Sequence, residues 1–309
     1  MARKVLLDLD PGVADAMALC LALVDPRLEV AAVTATGGNV LPERATLNVQ
    51  TIVEQLDPRR WPRIGAADTN QPLRTDGREI FGPDGFCGTD FRVAELHHLH
   101  ASAKVIADEI RAAPGELTII AGGPLSNLAN VFQCEPDLAT MVGHLIIVGG
   151  TFNGPGNVTA AAEFNIYCDA PSAKLVFRTP VTKTMLPLDV TSQVVLTYGS
   201  LGQLPADRSD ACKLLQRILP GAFRAYRQRL GLEGIPMHEV VAVAAVLHPE
   251  LFTTEPMFGD VETGGDLAHG LTVLDRRQVT NSQPNMEVVV SADASSIIDA
   301  ILRSLQQSL

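Results

Sequence analysis

The stretch DLDPGVADA, Asp8 to Ala16, places three carboxylates within eight residues. Asp8 and Asp10 are two apart on what reads as a strand, so the alternation of side chains points both to one face. Pro11-Gly12 ends that strand. Asp15 then falls in the first turn of a helix, where the dipole favours negative charge. Helix capping alone explains one such acid. Three acids this close repel one another and call for a positive partner, and an all-oxygen ligand set suits Ca2+ or Mg2+. Two further junctions carry polar groups of the same kind. GGPLSNLAN brings Ser126 and Asn127 to a helix start, with Pro124 suited to the first helical turn. PMHEVVAV brings His238 and Glu239 to another, and a histidine beside a carboxylate is a candidate proton donor. In AAEFNIYCDA, Glu163 and Asn165 are expected on one side of an extended segment, where they could bind hydroxyls. Asn157 in GPGNVTA and Asn39 in TGGNV are turn asparagines of similar capacity. His97, His98 and His100 in HHLH suit neither one helix face nor the acidic group, and read as a solvated surface segment.

These residues need a scaffold that collects them. Short apolar runs alternate along the chain with longer helical patterns: KVLLDLD then ADAMALCLALV, LEVAAVTAT then ERATLNVQTIVEQL, LTIIAGG then PLSNLANVF. HLIIVGG and VTKTMLPLDV read as further strands. SDACKLLQRILPGAFRAYRQRL reads as a helix broken or bent at Pro220, and ASSIIDAILRSLQQSL as a terminal amphipathic helix. VVAVAAVL is ambiguous by period, and its place after PMHE favours a helix. The alternation predicts an α/β fold with an open, mostly parallel, Rossmann-like sheet and helices on both faces. Strand-to-helix junctions in such a sheet converge at the carboxyl ends of the strands, where ligands bind. No repeat or linker divides the chain, so residues 1–309 are expected to form one domain. The long loops GTFNGPGNVTAA and NQPLRTDGREIFGPDGFCGTDF are of a length usually kept for function.

The totals narrow the partners. The 309 residues are 46% hydrophobic and 19% charged, which is a globular composition. A net charge of −11 with no Lys/Arg run argues against nucleic acid and for a small-molecule substrate. The five cysteines lie far apart with no CxxC pair, and read as reduced, mostly buried thiols. No apolar run approaches the ~20 residues of a membrane span, and no secretory layout opens the chain, so the cytoplasm is the expected compartment. Neither a Walker loop nor Gly-x-Gly-x-x-Gly is present. Asp-x-Asp after a first strand also occurs in haloacid-dehalogenase-like phosphatases, but those want Thr or Val where this chain has Gly12.

Taken together, DLDPGVADA, TGGNV, GGPLSN, GNVTAAAEFNIYCDA, LPLDVT, MHE and LTVLDRR resemble, in order, the inosine-uridine preferring nucleoside hydrolase family. The resemblance runs from Val5 to Arg277. It implies the nucleoside hydrolase fold and an N-glycosidase that cuts ribonucleosides into base and ribose, with Ca2+ as cofactor and a homodimer or homotetramer as the assembly. Carried over by position, Asp10 would be a metal ligand and the base that activates water. Asp15 and Glu239 would be further ligands, with a backbone carbonyl from Leu125 or Ser126. Asn39, Asn157, Glu163 and Asn165 would hold the ribose, and His238 would stand near the leaving base. Two positions depart from the pattern: Ala14 replaces an aspartate expected to contact ribose hydroxyls, and Glu239 replaces an aspartate. Phe152 also stands where methionine is usual. The departures imply weakened or redirected turnover, or a catalytically silent nucleoside-binding protein on the same scaffold.

Overall fold

Strands buried on both faces have no need of a polar side, and the apolar runs form the middle of the sheet for that reason. The computed structural model describes residues 2–93, 99–277 and 282–306. In chain order the strands are β1 (Arg3–Leu9), β2 (Leu28–Ala35), β3 (Arg63–Ala66), β4 (His100–Ala101), β5 (Thr118–Ala121), β6 (His144–Val148) and β7 (Lys183–Leu186). Then come β8 (Val195–Thr197), β9 (Gly234–Pro236), β10 (Phe252–Val261), β11 (Thr272–Asp275) and β12 (Met286–Ala292). One sheet takes all but β8 and β9, in the order β11-β10-β12-β7-β6-β5-β1-β2-β3-β4. From β12 to β4 every pairing is parallel, while β10 runs antiparallel to both neighbours.

Side chains of β1 alternate between the two cores. Val5, Leu7 and Leu9 enter one, and Leu6 enters the other. The first core holds the helices Val13–Val24, Asp210–Ala225, His238–Leu247 and Ala294–Leu305; the second holds Ser102–Ala112, Ser126–Cys134 and Ala170–Arg178. Helices Val13–Val24 and His238–Leu247 are apolar nearly all round and pack against each other. Both begin at the carboxyl edge of the sheet, so their first-turn acids, Asp15 and Glu239, arrive together.

Several local expectations are corrected. VTKTMLPLDV is a strand only to Leu186; Pro187 lacks the N–H to continue the ladder, and Leu188–Thr191 makes one helical turn. Glu163 and Asn165 do not sit on an extended segment, since Glu163 caps the helix Phe164–Cys168. Pro124 precedes the helix that starts at Ser126. The helix Asp210–Ala225 runs on through Pro220 and passes into a wider π turn, Tyr226–Leu230. His97 and His98 lie outside the described residues, and His100 is exposed on β4. The cysteines are free thiols; Cys20, Cys168 and Cys212 are buried, Cys87 partly so, and Cys134 is exposed. Among the described residues no helix is long and apolar enough to cross a membrane.

Asp25, at the end of the first helix, ties that helix to the last one. It is buried, and it accepts from Arg27 Nε at 2.9 Å and from the terminal guanidinium nitrogen at 2.7 Å. Ser304 Oγ in the last helix donates to it at 3.3 Å. Burial alone would raise its pKa, but the bonds and charge of Arg27 outweigh that and hold it below the usual value. A depressed folded pKa contributes stability above the unfolded value of about 4 and loses it as pH falls through the folded one. Asp25→Asn is therefore expected to cost about 1–2 kcal/mol at pH 7, with the difference closing in acid; urea melts from pH 7 to 3 read this.

Candidate active site

The strand order reverses beside β1, which has β2 on one side and β5 on the other. The crevice at such a reversal is the usual ligand site of an open α/β sheet. Here it receives Asp10 from the end of β1, Gly38 and Asn39 after β2, and Gly122 to Ser126 after β5. Small residues make the convergence possible. A Cβ on Gly38 would stand 2.0 Å from Asp10 Oδ2, and one on Gly122 would stand 3.0 Å from Glu239 Cγ.

Asp8 and Asp10 do not work as a pair. Asp10 lies just past the strand, so the alternation no longer governs it. Asp8 is tied down on the second-core side, accepting from Thr34 Oγ1 at 2.7 Å and Asn127 Nδ2 at 2.8 Å. Burial lifts it to about 6 against those bonds. Asp10 instead joins Asp15 and Glu239. Asp10 Oδ2 accepts the Asn39 N–H at 2.7 Å. Asp15 Oδ2 accepts from the Gly12 N–H at 3.0 Å and Asn39 Nδ2 at 3.2 Å. The other oxygens, Asp10 Oδ1 and Asp15 Oδ1, are buried and have no partner. Each carboxylate therefore has one oxygen held and one to spare.

The electrostatics follow from that burial. Desolvation raises Asp10 well above the ordinary carboxylate range, and the charges of Asp15 and Glu239 add to it. Desolvation lifts Asp15 to about 6, opposed by its hydrogen bonds. Glu239 is raised by burial and then by Asp15. Among the described residues no lysine or arginine is paired with these three acids.

Glu163 is also buried. Oε1 accepts the Asn165 N–H at 3.0 Å, and Oε2 accepts those of Gly150 and Ile166 at 3.1 Å. Burial raises its pKa and these bonds temper the rise. Asn165 Nδ2 donates to the carbonyls of Gly122 and Val148, 2.8 and 3.1 Å away. The pair thus stitches β5, β6 and the following helix to one another. Asn157 is exposed, and its Oδ1 accepts the Phe164 N–H at 2.8 Å. Ser126 Oγ turns away from the acids, donating to Asp169 Oδ2 at 2.5 Å and accepting from Gln71 Nε2 at 2.8 Å. The Leu125 carbonyl already accepts the Ala129 N–H at 2.9 Å. His238 Nδ1 lies 2.8 Å from Thr191 Oγ1. Burial depresses the imidazole to about 4, so it is neutral at pH 7.

Tyr226 escaped the sequence reading. An aromatic at the end of an amphipathic helix looks like core, and its ring does pack against Phe81 with centroids 5.9 Å apart. Its phenol is raised by burial and then by the charges of Glu239, Cys87 and Asp15, which sets it beside the acidic group.

An open α/β sheet with buried acids at its switch point has the layout of a small-molecule site. Comparison with known proteins narrows the class. A sequence model of the family described as inosine-uridine preferring nucleoside hydrolase matches residues 5–299. The chain is 32% identical over 311 aligned positions to the pyrimidine-specific ribonucleoside hydrolase RihA of Escherichia fergusonii, covering 99% of each. Among solved structures it is similar to the plant nucleoside hydrolase PpNRh1, with a TM-score of 0.92 at 29% identity and 99% of each chain covered. It is also similar to a purine-preferring ribonucleoside hydrolase from Gardnerella vaginalis, at 0.90, 27% and 98% of each. The chain belongs to the inosine-uridine preferring nucleoside hydrolase family. Its reaction is hydrolysis of a ribonucleoside to base and ribose.

Proposed function

We propose that Ca2+ held by Asp10 and Asp15, with Glu239 and a main-chain carbonyl at Leu125 or Ser126, serves this N-glycosidase. The observation that carries the reading is the pair of buried carboxylate oxygens without partners, Asp10 Oδ1 and Asp15 Oδ1. Hard oxygen donors of this kind suit Ca2+. Among the described residues no three His, Cys, Asp or Glu side chains form a metal cage by themselves; in this reading a main-chain oxygen joins the carboxylates. When bound, the ion supplies a Lewis-acid site that polarises the attacking water. Asp10 would take the proton from the attacking water at its carboxylate. Asn39, Asn157, Glu163 and Asn165 hold the ribose, and the surrounding carboxylates stabilise the positive charge that builds on the sugar as the bond breaks. Neutral His238 offers hydrogen bonding to the leaving base. Ala14 supplies no carboxylate to the sugar, so turnover of common ribonucleosides is weak.

The whole chain, 1–309, acts as one domain in this reading, in the cytoplasm and as a homodimer or homotetramer; light scattering reads the assembly. Calcium added to chelator-treated protein is expected to raise the melting temperature. Saturation at about 100 times Kd corresponds to roughly 2.7 kcal/mol. No shift at millimolar Ca2+ overturns the metal assignment. Incubating the protein with a panel of purine and pyrimidine nucleosides and measuring free ribose tests the reaction.

A further inference from the structure

LPLDVT stands outside the acidic group but touches elements on both sides of it. In the turn Leu188–Thr191, the Asp189 carboxylate accepts three consecutive main-chain N–H groups. Phe152 donates to Oδ2 at 2.7 Å, and Asn153 and Gly154 donate to Oδ1 at 2.6 and 2.5 Å. Beside it the Leu188 N–H donates to the Gly150 carbonyl at 2.9 Å. Gly150 in turn donates its own N–H to Glu163. Two residues after Asp189, Thr191 Oγ1 meets His238 Nδ1 at 2.8 Å. One helical turn is thereby bonded to the loop that leads to Asn157, to the backbone that orients Glu163, and to His238. Charge-assisted bonds from three adjacent amides hold a loop far more firmly than neutral ones, and no secondary structure holds residues 151–157 otherwise.

We infer that Asp189 is a positioning residue for the glycosidic reaction: its carboxylate fixes the loop 152–157 against the sugar side of the site. The inference rests on the ribose-binding role given above to Asn157 and Glu163. Loss of the anchor releases the loop without touching Asp10 or Asp15, so it removes binding that ground and transition states share, which raises KM and leaves kcat.

The test compares wild type, Asp189→Asn and Asp189→Ala, with uridine and inosine as substrates and amide hydrogen exchange over residues 151–158. Asp189→Ala is expected to raise KM about tenfold, the loss of roughly one hydrogen bond to the sugar, with kcat within about threefold, and to speed exchange at 152–154. Asp189→Asn keeps one acceptor oxygen and falls between. Partial unfolding would lower kcat and leave KM unchanged, and that pattern overturns the inference. Unchanged exchange at 152–154 in Asp189→Ala also overturns it. Should wild type release no ribose from either nucleoside, the hydrolase reading fails separately. The affinity for uridine measured by calorimetry then replaces KM, and equal affinities in wild type and Asp189→Ala overturn the positioning role.

Discussion

Asp10→Asn is expected to lower the release of ribose by about 10³-fold, within the range that a positioned general base contributes. The substitution is nearly isosteric. An asparagine carbonyl can still accept the Asn39 N–H that Asp10 Oδ2 accepts at 2.7 Å, so the backbone around the site has no reason to move. What disappears is the spare anionic oxygen, Oδ1, which is buried with no partner. In the proposed reading its loss would remove both the proton acceptor and a cation ligand, and Ca2+ affinity should fall together with turnover. The same change relieves a buried charge that Asp15 and Glu239 repel. Metal-free Asp10→Asn should therefore melt higher than metal-free wild type, while the calcium-induced gain shrinks. Opposite movement of activity and apo stability marks a residue kept for function at the expense of the fold. Scanning calorimetry in chelator, with and without added calcium, reads the stability half. A variant that keeps wild-type turnover removes Asp10 from the mechanism.

Much of this was legible from residues because the chemistry sits where strands end. The DLDPGVADA turn, the MHE helix start and the GGPLSN junction each announce a strand or loop handing over to a helix, and all three junctions lie at one sheet edge. What the residues could not reveal was strand order. Only the reversal between β5 and β1 explains why Asp10, Asn39 and Glu239, far apart in the chain, meet in one crevice. Local dihedral choices were also hidden. AEFN carries a helix cap at Glu163, whose oxygens go to three backbone amides, and spacing alone cannot separate that from an extended pair facing a ligand. Asp189 and Thr191 carried no signal of their own, because a short LDVT turn after a strand looks like the strand continued. Their partners, Phe152 to Gly154 and His238, lie 35 to 47 residues away.

Ala14→Asp is expected to raise kcat/KM on ordinary ribonucleosides by about 10- to 100-fold. Ala14 is the one residue between Pro11 and Met17 that is not buried, so this position of the first helical turn is partly exposed. A carboxylate there is tolerated by the helix, since the N-terminal dipole favours negative charge. It would take up hydrogen bonds from the sugar hydroxyls, and a bond to a charged group is worth about 1.5–3 kcal/mol, which at 1.36 kcal/mol per tenfold gives the stated range. The added charge sits beside Asp10 and Asp15, so metal-free protein should lose stability and calcium should restore more than it does in wild type. Ala14→Asn separates charge from shape: it supplies a hydrogen-bonding group of the same size without the anion, and should give only a small part of the gain. Glu239→Asp, made in the Ala14→Asp background, then reports whether the longer glutamate also limits the rate. If Ala14→Asp leaves ribose release where it was, the first turn does not face the sugar of an ordinary nucleoside, and the site is better read as one that binds such molecules without cleaving them.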